Sequence, residues 1–360
     1  MVNPVKQMQR RNEEYRHMDR LDKRRYWTNG VLNNALYILM LIFIVYTAIC
    51  NKNFVSPGSI VNIISLVAAS LPMALGIAGC IVLTGTDLSG GRVVGLTAAI
   101  AGALLQNRDI SRKLFSGLPE ITPGWILLTF LAVVVVGALI GLVNGFFVAK
   151  FSLHPFIVTL ATQLITYGLI LMFFKINGNN GQPVSGLSDS YKNAVTSSML
   201  KIGSVSIPWY VLYAVIFVAV IWFVWNKTAF GKNMFAVGSN SEAAKVSGVN
   251  VFWTTVLVHT LAGAMYGVTG FIEGARIGSI TQAAGLNYEC DAIAACVIGG
   301  VSFVGGTGKV SGIVLGVFIL RIIFVALNML GIDPNMQYIV KGGIILAACS
   351  LDMRKYLAKK

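Results

Sequence analysis

Ten apolar runs, separated by shorter polar stretches, dominate the chain. They lie near 31–50, 58–84, 91–106, 123–149, 155–175, 207–225, 251–272, 288–304, 309–328 and 334–351. Most reach the ~20 residues that an α-helix needs to cross the hydrocarbon of a bilayer. The pattern predicts an all-α, polytopic membrane helical bundle of about ten transmembrane helices. Pro72 interrupts the second run and leaves open whether it forms one helix or two half-helices. The stretches near 85–92 and 299–308 are too rich in glycine for ordinary helix. Broken or re-entrant backbone at that depth must be buried in protein or line water.

Composition agrees with lipid as the solvent. The 360 residues are 56% hydrophobic and 12% charged, with mean hydropathy +0.73, whereas soluble domains carry about 25% charged residues. The net charge is +14. Its bases sit in tails and short loops, so topology explains them and nucleic acid is not implied. With the amino terminus in the cytoplasm, eighteen of the 28 Lys and Arg fall on the inner side and eight on the outer. That bias favours both termini inside and an even number of spans. The division expected is a basic cytoplasmic segment at 1–30, one transmembrane domain at 31–351 with a cytoplasmic loop at 226–250, and a basic tail at 352–360. Cys50, Cys80, Cys290, Cys296 and Cys349 lie in or beside apolar runs without a CxxC, and read as small apolar residues. Gly137-x3-Gly141-x3-Gly145, Gly308-x3-Gly312-x3-Gly316 and Gly91-x3-Gly95 would let helix backbones approach closely. Gly85-x4-Gly90-Gly91 and Gly300-x4-Gly305-Gly306 raise the question of an internal repeat.

Candidate chemistry is sparse. Gly305-Gly306-Thr307-Gly308-Lys309 resembles a nucleotide loop, but Phe303 stands where its first glycine belongs and Val310 follows the lysine. The chain is therefore not expected to hydrolyse ATP. His17, His154 and His259 are scattered, which argues against a metal centre; no cofactor is expected. The inner loop 226–250 carries Glu242-Ala243-Ala244-x3-Gly248. The spacing predicts a short helix capped by Ser241 and ended at Gly248, either a docking element or a solvated turn. Ionisable groups within spans are costly and face a bundle interior or water. Asp87 and Arg92 flank one glycine-rich break, and Glu273, Arg276, Glu289 and Asp291 cluster toward the outer half. These charges either line a pathway or pair with one another. Arg321 and Lys341, each alone in an apolar run, are expected to bind carbonyls or snorkel.

The Glu242–Gly248 loop resembles the coupling segment of ABC importer permeases. Thr86-Asp87-Leu88-Ser89-Gly90-Gly91-Arg92 is similar to the signature before the third helix of their ribose/galactose/xylose family. Asn226-Lys227-Thr228-x-Phe230-Gly231-Lys232 is similar to the segment leading into its coupling loop. Tyr288-Glu289-Cys290-Asp291-Ala292-Ile293-Ala294-Ala295 resembles the family's Y-E-L-D-A-I-A-A block, with Cys290 in place of leucine. The similarity runs from about residue 31 to the carboxyl terminus.

The resemblance implies a permease subunit, not an enzyme, that moves a monosaccharide of the galactose or methyl-galactoside type across the bacterial inner membrane. Implied partners are an ATP-binding subunit gripping Glu242, Ala243, Ala244 and Gly248, a periplasmic sugar-binding protein, a second copy of the chain and membrane lipid. Asp87, Ser89, Gly90, Gly91, Tyr288, Glu289, Asp291, Phe303, Gly305 and Gly306 become candidates for the pathway or its gate, with Asn144 and Gln163 as further polar candidates. Both glycine pairs, 90–91 and 305–306, are expected to be non-helical and close to another segment. The alternative is a stand-alone ion-coupled secondary transporter, for which Asp87 would be the ion site.

Overall fold

The computed structural model describes residues 35–110, 113–203 and 205–357, together with Asp19, Arg20, Asp22 and Lys23. The rest of the basic amino-terminal segment and the last three residues of the tail lie outside the described residues. Among the described residues from 35 onward, thirteen α-helices follow in order: α1 Ala35–Cys50, α2 Pro57–Val82, α3 Gly90–Leu104, α4 Pro123–Phe151, α5 Pro155–Phe173, α6 Asp189–Thr196, α7 Trp209–Lys227, α8 Ala229–Ser239, α9 Ser241–Val246, α10 Val251–Ile277, α11 Tyr288–Ile298, α12 Val310–Met329 and α13 Pro334–Leu357. An antiparallel hairpin, β1 Ser198–Ile202 and β2 Val205–Pro208, joins α6 to α7. Six of the described helices, α2, α4, α5, α7, α10 and α12, are long and apolar enough to span a membrane. Each of the ten apolar runs holds one helix.

Local signals set the helix starts. Pro57, Pro123 and Pro155 occupy first turns, where the missing N–H costs nothing. Ser56, Thr122 and Asn250 accept from the backbone N–H of Ser59, Trp125 and Trp253, satisfying donors that a helix start leaves free. Pro72 does not divide α2, which is one continuous helix of 26 residues; neighbouring elements tolerate an interior proline in such bundles.

α2 and α10 form the centre and are mostly buried, whereas α4, α5 and α7 turn most of their residues outward. α4 shows why. Leu127, Leu131, Val135 and Leu139 are exposed, and Val133, Gly137, Gly141 and Gly145 are buried on the opposite stripe. A Cβ on Gly137 would stand 2.2 Å from the Gly263 carbonyl oxygen, and one on Gly141 2.1 Å from that of His259. The first glycine triad therefore lays α4 backbone to backbone on α10. The second serves α11: Cβ atoms on Gly312 and Gly316 would meet the carbonyls of Gly299 and Ala295.

Without a hydrophobic drive between helices in lipid, such close packing is a main source of cohesion. Gly263→Val is expected to lower the thermal unfolding midpoint in detergent, since overpacking costs about 1–3 kcal/mol. Gly168→Ala, where a Cβ meets nothing within 4 Å, is expected to leave it unchanged or raise it. Equal midpoints for the two variants would contradict the crossing.

Candidate functional site

Two short helices, α3 and α11, start inside the bundle. After α2 the chain turns back, with Thr84 at φ 64°, and runs non-helically through residues 83–89. α3 starts only at Gly90, whose side faces Met73 of α2 and Tyr266 of α10, both far from the ends of those helices. After α10 the chain runs through residues 278–287 before α11 starts at Tyr288. The two interruptions meet. A Cβ on Gly91 would stand 1.9 Å from Glu289 Oε2 and 2.4 Å from the Gly285 carbonyl oxygen, and one on Gly95 2.2 Å from that of Ala284. Gly285, at φ +74°, is in the left-handed region that favours glycine. The starts of α3 and α11 thus lie side by side inside the bundle, each with unpaired N–H groups and a positive dipole end.

Carboxylates gather at these two helix starts. Asp87 is fully buried. Its Oδ1 accepts from Ser89 N at 2.9 Å and Ser89 Oγ at 2.6 Å, and its Oδ2 accepts from the Tyr266 hydroxyl at 3.1 Å. Asn144 Nδ2 donates to Ser89 Oγ at 3.0 Å, and Thr162 donates to Asn144 Oδ1 at 2.6 Å. Thr159 accepts from Leu88 N and donates to the Thr86 carbonyl. One buried network therefore pins the re-entrant segment to α4, α5 and α10. Glu289 is also buried, and its Oε2 has no hydrogen-bond partner among the described residues. The adjacent Arg92 lays its guanidinium over the Tyr167 ring at 4.2 Å and points toward the Gln282 carbonyl, 3.5 Å away.

Beside this junction a narrow cleft opens between α2, α10, α11 and α12. Ser70, Thr269, Glu273, Tyr288, Asp291 and Arg321 are its polar lining. Asp291 accepts from Lys341 Nζ at 3.0 Å and lies 3.8 Å from Arg321 Nη1. Arg321 Nε donates to Ser70 Oγ at 2.9 Å, and Glu273 pairs with Arg276 at 2.7 Å. Arg321 and Lys341 therefore neither snorkel nor seek carbonyls: both converge on Asp291, which offsets the cost of holding them among apolar helices. Glu273 and Asp291 are thus both ion-paired, and with Arg321 they line the cleft, whereas Glu289 stands apart from these pairs.

Asp87, Ser89, Gly90, Gly91, Tyr288, Glu289, Asp291 and Asn144 come together at the junction or its cleft. Gln163 lies half-buried on α5, next to Thr162 but outside the network. Gly90 and Gly91 are helical, as the first residues of α3, and not the break expected; the break precedes them, and only the close approach holds. Phe303, Gly305 and Gly306 lie elsewhere, in the loop between α11 and α12. The two glycine-rich stretches are thus not equivalent in position. Tyr266, Thr162, Thr159, Ser70 and Thr269 were missed, since a lone hydroxyl in an apolar run carries no local signal of its partner.

The loop between α7 and α10 folds as α8 and α9. Asn240, not Ser241, caps α9, its side chain accepting from Ala243 N at 2.9 Å. Ser241 is the first helical residue. Gly248 ends the helix at φ +84°, as the spacing indicates. Ala244 packs inward, while Glu242, Ala243 and Gly248 are exposed and Val246 is 89% exposed.

The structure therefore combines a buried polar junction at two helix starts with an exposed helix pair, α8 and α9. A family model described as "Branched-chain amino acid transport system / permease component" matches residues 59–349, from the first turn of α2 well into α13. The chain belongs to that permease family. Galactose/methyl galactoside import permease protein MglC of Salmonella typhimurium is 43% identical to this permease over 343 residues, covering 95% of this chain and 100% of the relative. The Haemophilus influenzae protein of the same name is 42% identical, over 91% and 96% of the two chains. Ribose import permease protein RbsC of Bacillus subtilis is 31% identical, over 93% and 97%. No solved structure matches the permease. Membership of a family of transport-system components goes against the stand-alone ion-coupled alternative.

Proposed function

We propose that this permease is the membrane subunit of an ATP-driven importer for a monosaccharide of the galactose or methyl-galactoside type. The observation that carries the reading is the end-to-end relation to proteins named as galactose/methyl galactoside import permeases, at 43% identity against 31% for a ribose permease. The sugar passes the junction of α3 and α11, where Ser, Thr, Tyr and carboxylate groups supply the hydrogen-bond partners its hydroxyls need on leaving water. A periplasmic sugar-binding protein delivers it to the outer end. Two copies of the permease stand in the bacterial inner membrane with both termini cytoplasmic, in keeping with the bias of basic residues toward that side. The transmembrane domain at 31–351 holds the pathway, and the basic segments at 1–30 and 352–360 flank it in the cytoplasm.

An ATP-binding subunit grips α9 through Glu242, Ala243 and Gly248. Binding and hydrolysis of ATP there drive the alternation of access. Ala243→Trp tests the assignment, because a tryptophan on that exposed helical face blocks docking without touching the core. Membrane levels are expected to stay normal while sugar uptake falls at least about tenfold, the equivalent of 1.4 kcal/mol. Uptake at the unaltered rate would remove α9 from the coupling.

A further inference from the structure

At the end of the molecule that carries α8 and α9, three backbone segments interlock, with the side chains of Thr84 and Ser239 packed beside the joint. A Cβ on Gly238 would stand 1.9 Å from the Val82 carbonyl oxygen and 2.9 Å from Gly306 N. One on Gly305 would stand 2.4 Å from the Gly238 carbonyl oxygen, and one on Gly306 2.8 Å from Ser239 Cα. Gly306 N–H donates to the Val82 carbonyl at 2.9 Å. Gly305 and Gly306 have φ of +89° and +66°, which a residue with a side chain rarely adopts. The loop at 299–309 is therefore held in one register against both α8 and the last residue of α2.

The outward side of that loop is Val304, 44% exposed, with Thr307 and Lys309 also exposed. On the adjoining α9, Val246 is 89% exposed and Lys245 lies open beside it. Each segment thus presents an exposed valine and an exposed lysine, and the glycine joint ties the loop to Gly238 and Ser239 at the end of α8, just before α9 starts at Ser241. An apolar centre with a charged rim is the usual make-up of a protein interface.

We propose that the 299–309 loop and α9 form one continuous docking surface for the ATP-binding subunit. Val304 and Val246 are its apolar contacts, and Lys309 and Lys245 face acidic residues of the partner. The inference rests on the reading of α9 as the coupling helix and adds a second element to it. A partner that grips both sides of the joint moves α8 and the end of α2 together, and the segment leading to Asp87 starts at the very next residue.

The test is recovery of co-expressed ATP-binding subunit with affinity-purified permease in mild detergent. Val304→Asp and Val246→Asp are each expected to cut recovery at least about tenfold, as for loss of a central apolar contact. Lys309→Glu is expected to weaken recovery most at low salt. A photo-reactive phenylalanine derivative at Thr307 is expected to give a covalent adduct with that subunit. If Val304→Asp is recovered as the unaltered permease is while Val246→Asp loses its partner, the loop is outside the interface and the reading of α9 stands. If both retain the partner, that reading falls as well. Should Val304→Asp lower membrane levels, position 307 decides, and absence of an adduct overturns the proposal.

Discussion

Asp291→Ala is expected to leave little permease in the membrane fraction. Asp291 is 8% exposed and is the shared counter-ion of Lys341 at 3.0 Å and Arg321 at 3.8 Å. Its removal leaves two cations uncompensated among apolar helices. Breaking a buried pair from one side costs about 3–5 kcal/mol, a large part of the ~5–15 kcal/mol that holds a domain folded. The partners differ in what they leave behind. Lys341→Met still leaves Asp291 with Arg321, so its effect is expected to be mild. The double variant Asp291→Ala with Lys341→Met leaves only Arg321, which keeps its bond to Ser70, and is expected to recover part of the lost level. Immunoblots of membranes from the three variants check the order. Asp291→Ala at the unaltered level would show that the cluster does not stabilise the bundle.

Asp87→Ala is expected to abolish uptake. The carboxylate accepts three hydrogen bonds inside the bundle, and leaving a buried donor unsatisfied costs about 1–3 kcal/mol each. The segment at 83–89 then loses its anchor to α10, and the start of α3 shifts against α11. Asp87→Asn keeps an acceptor for Ser89 and a donor for the Tyr266 hydroxyl, so intermediate uptake is expected. Tyr266→Phe removes one bond and is expected to reduce uptake without lowering membrane levels. Uptake of radiolabelled sugar, normalised to membrane level, measures all three. Unaltered uptake by Asp87→Ala would place the network outside the transport cycle.

The helices were legible because lipid imposes a simple rule: an apolar run of fixed length must be helix, since no water satisfies its backbone. Among the described residues each run holds a helix, although α3 and α11 are too short to cross alone. The depth of each break was not legible. Glycine content marks both 85–92 and 299–308, yet the first precedes a helix start deep in the bundle and the second forms the turn between α11 and α12. Only contacts with Met73, Tyr266 and Glu289 on one side, and with Val82 and Gly238 on the other, distinguish them. The second true interruption, at 278–287, contains few glycines and gave no signal of its own. Tyr266 meets Asp87 across 179 positions, and nothing local in an apolar helix announces that. The convergence of Arg321 and Lys341 on Asp291 was within reach, because isolated charges in spans require a partner and few acidic residues were available.

Reconstitution tests the proposed function most directly. The permease, co-purified with an ATP-binding subunit and placed in proteoliposomes, is supplied with a sugar-loaded binding protein on one side and ATP on the other. Accumulation of radiolabelled galactose or methyl galactoside is expected only when both are present, with ribose taken up poorly. Accumulation driven by an ion gradient without ATP, or uptake indifferent to the binding protein, would contradict it.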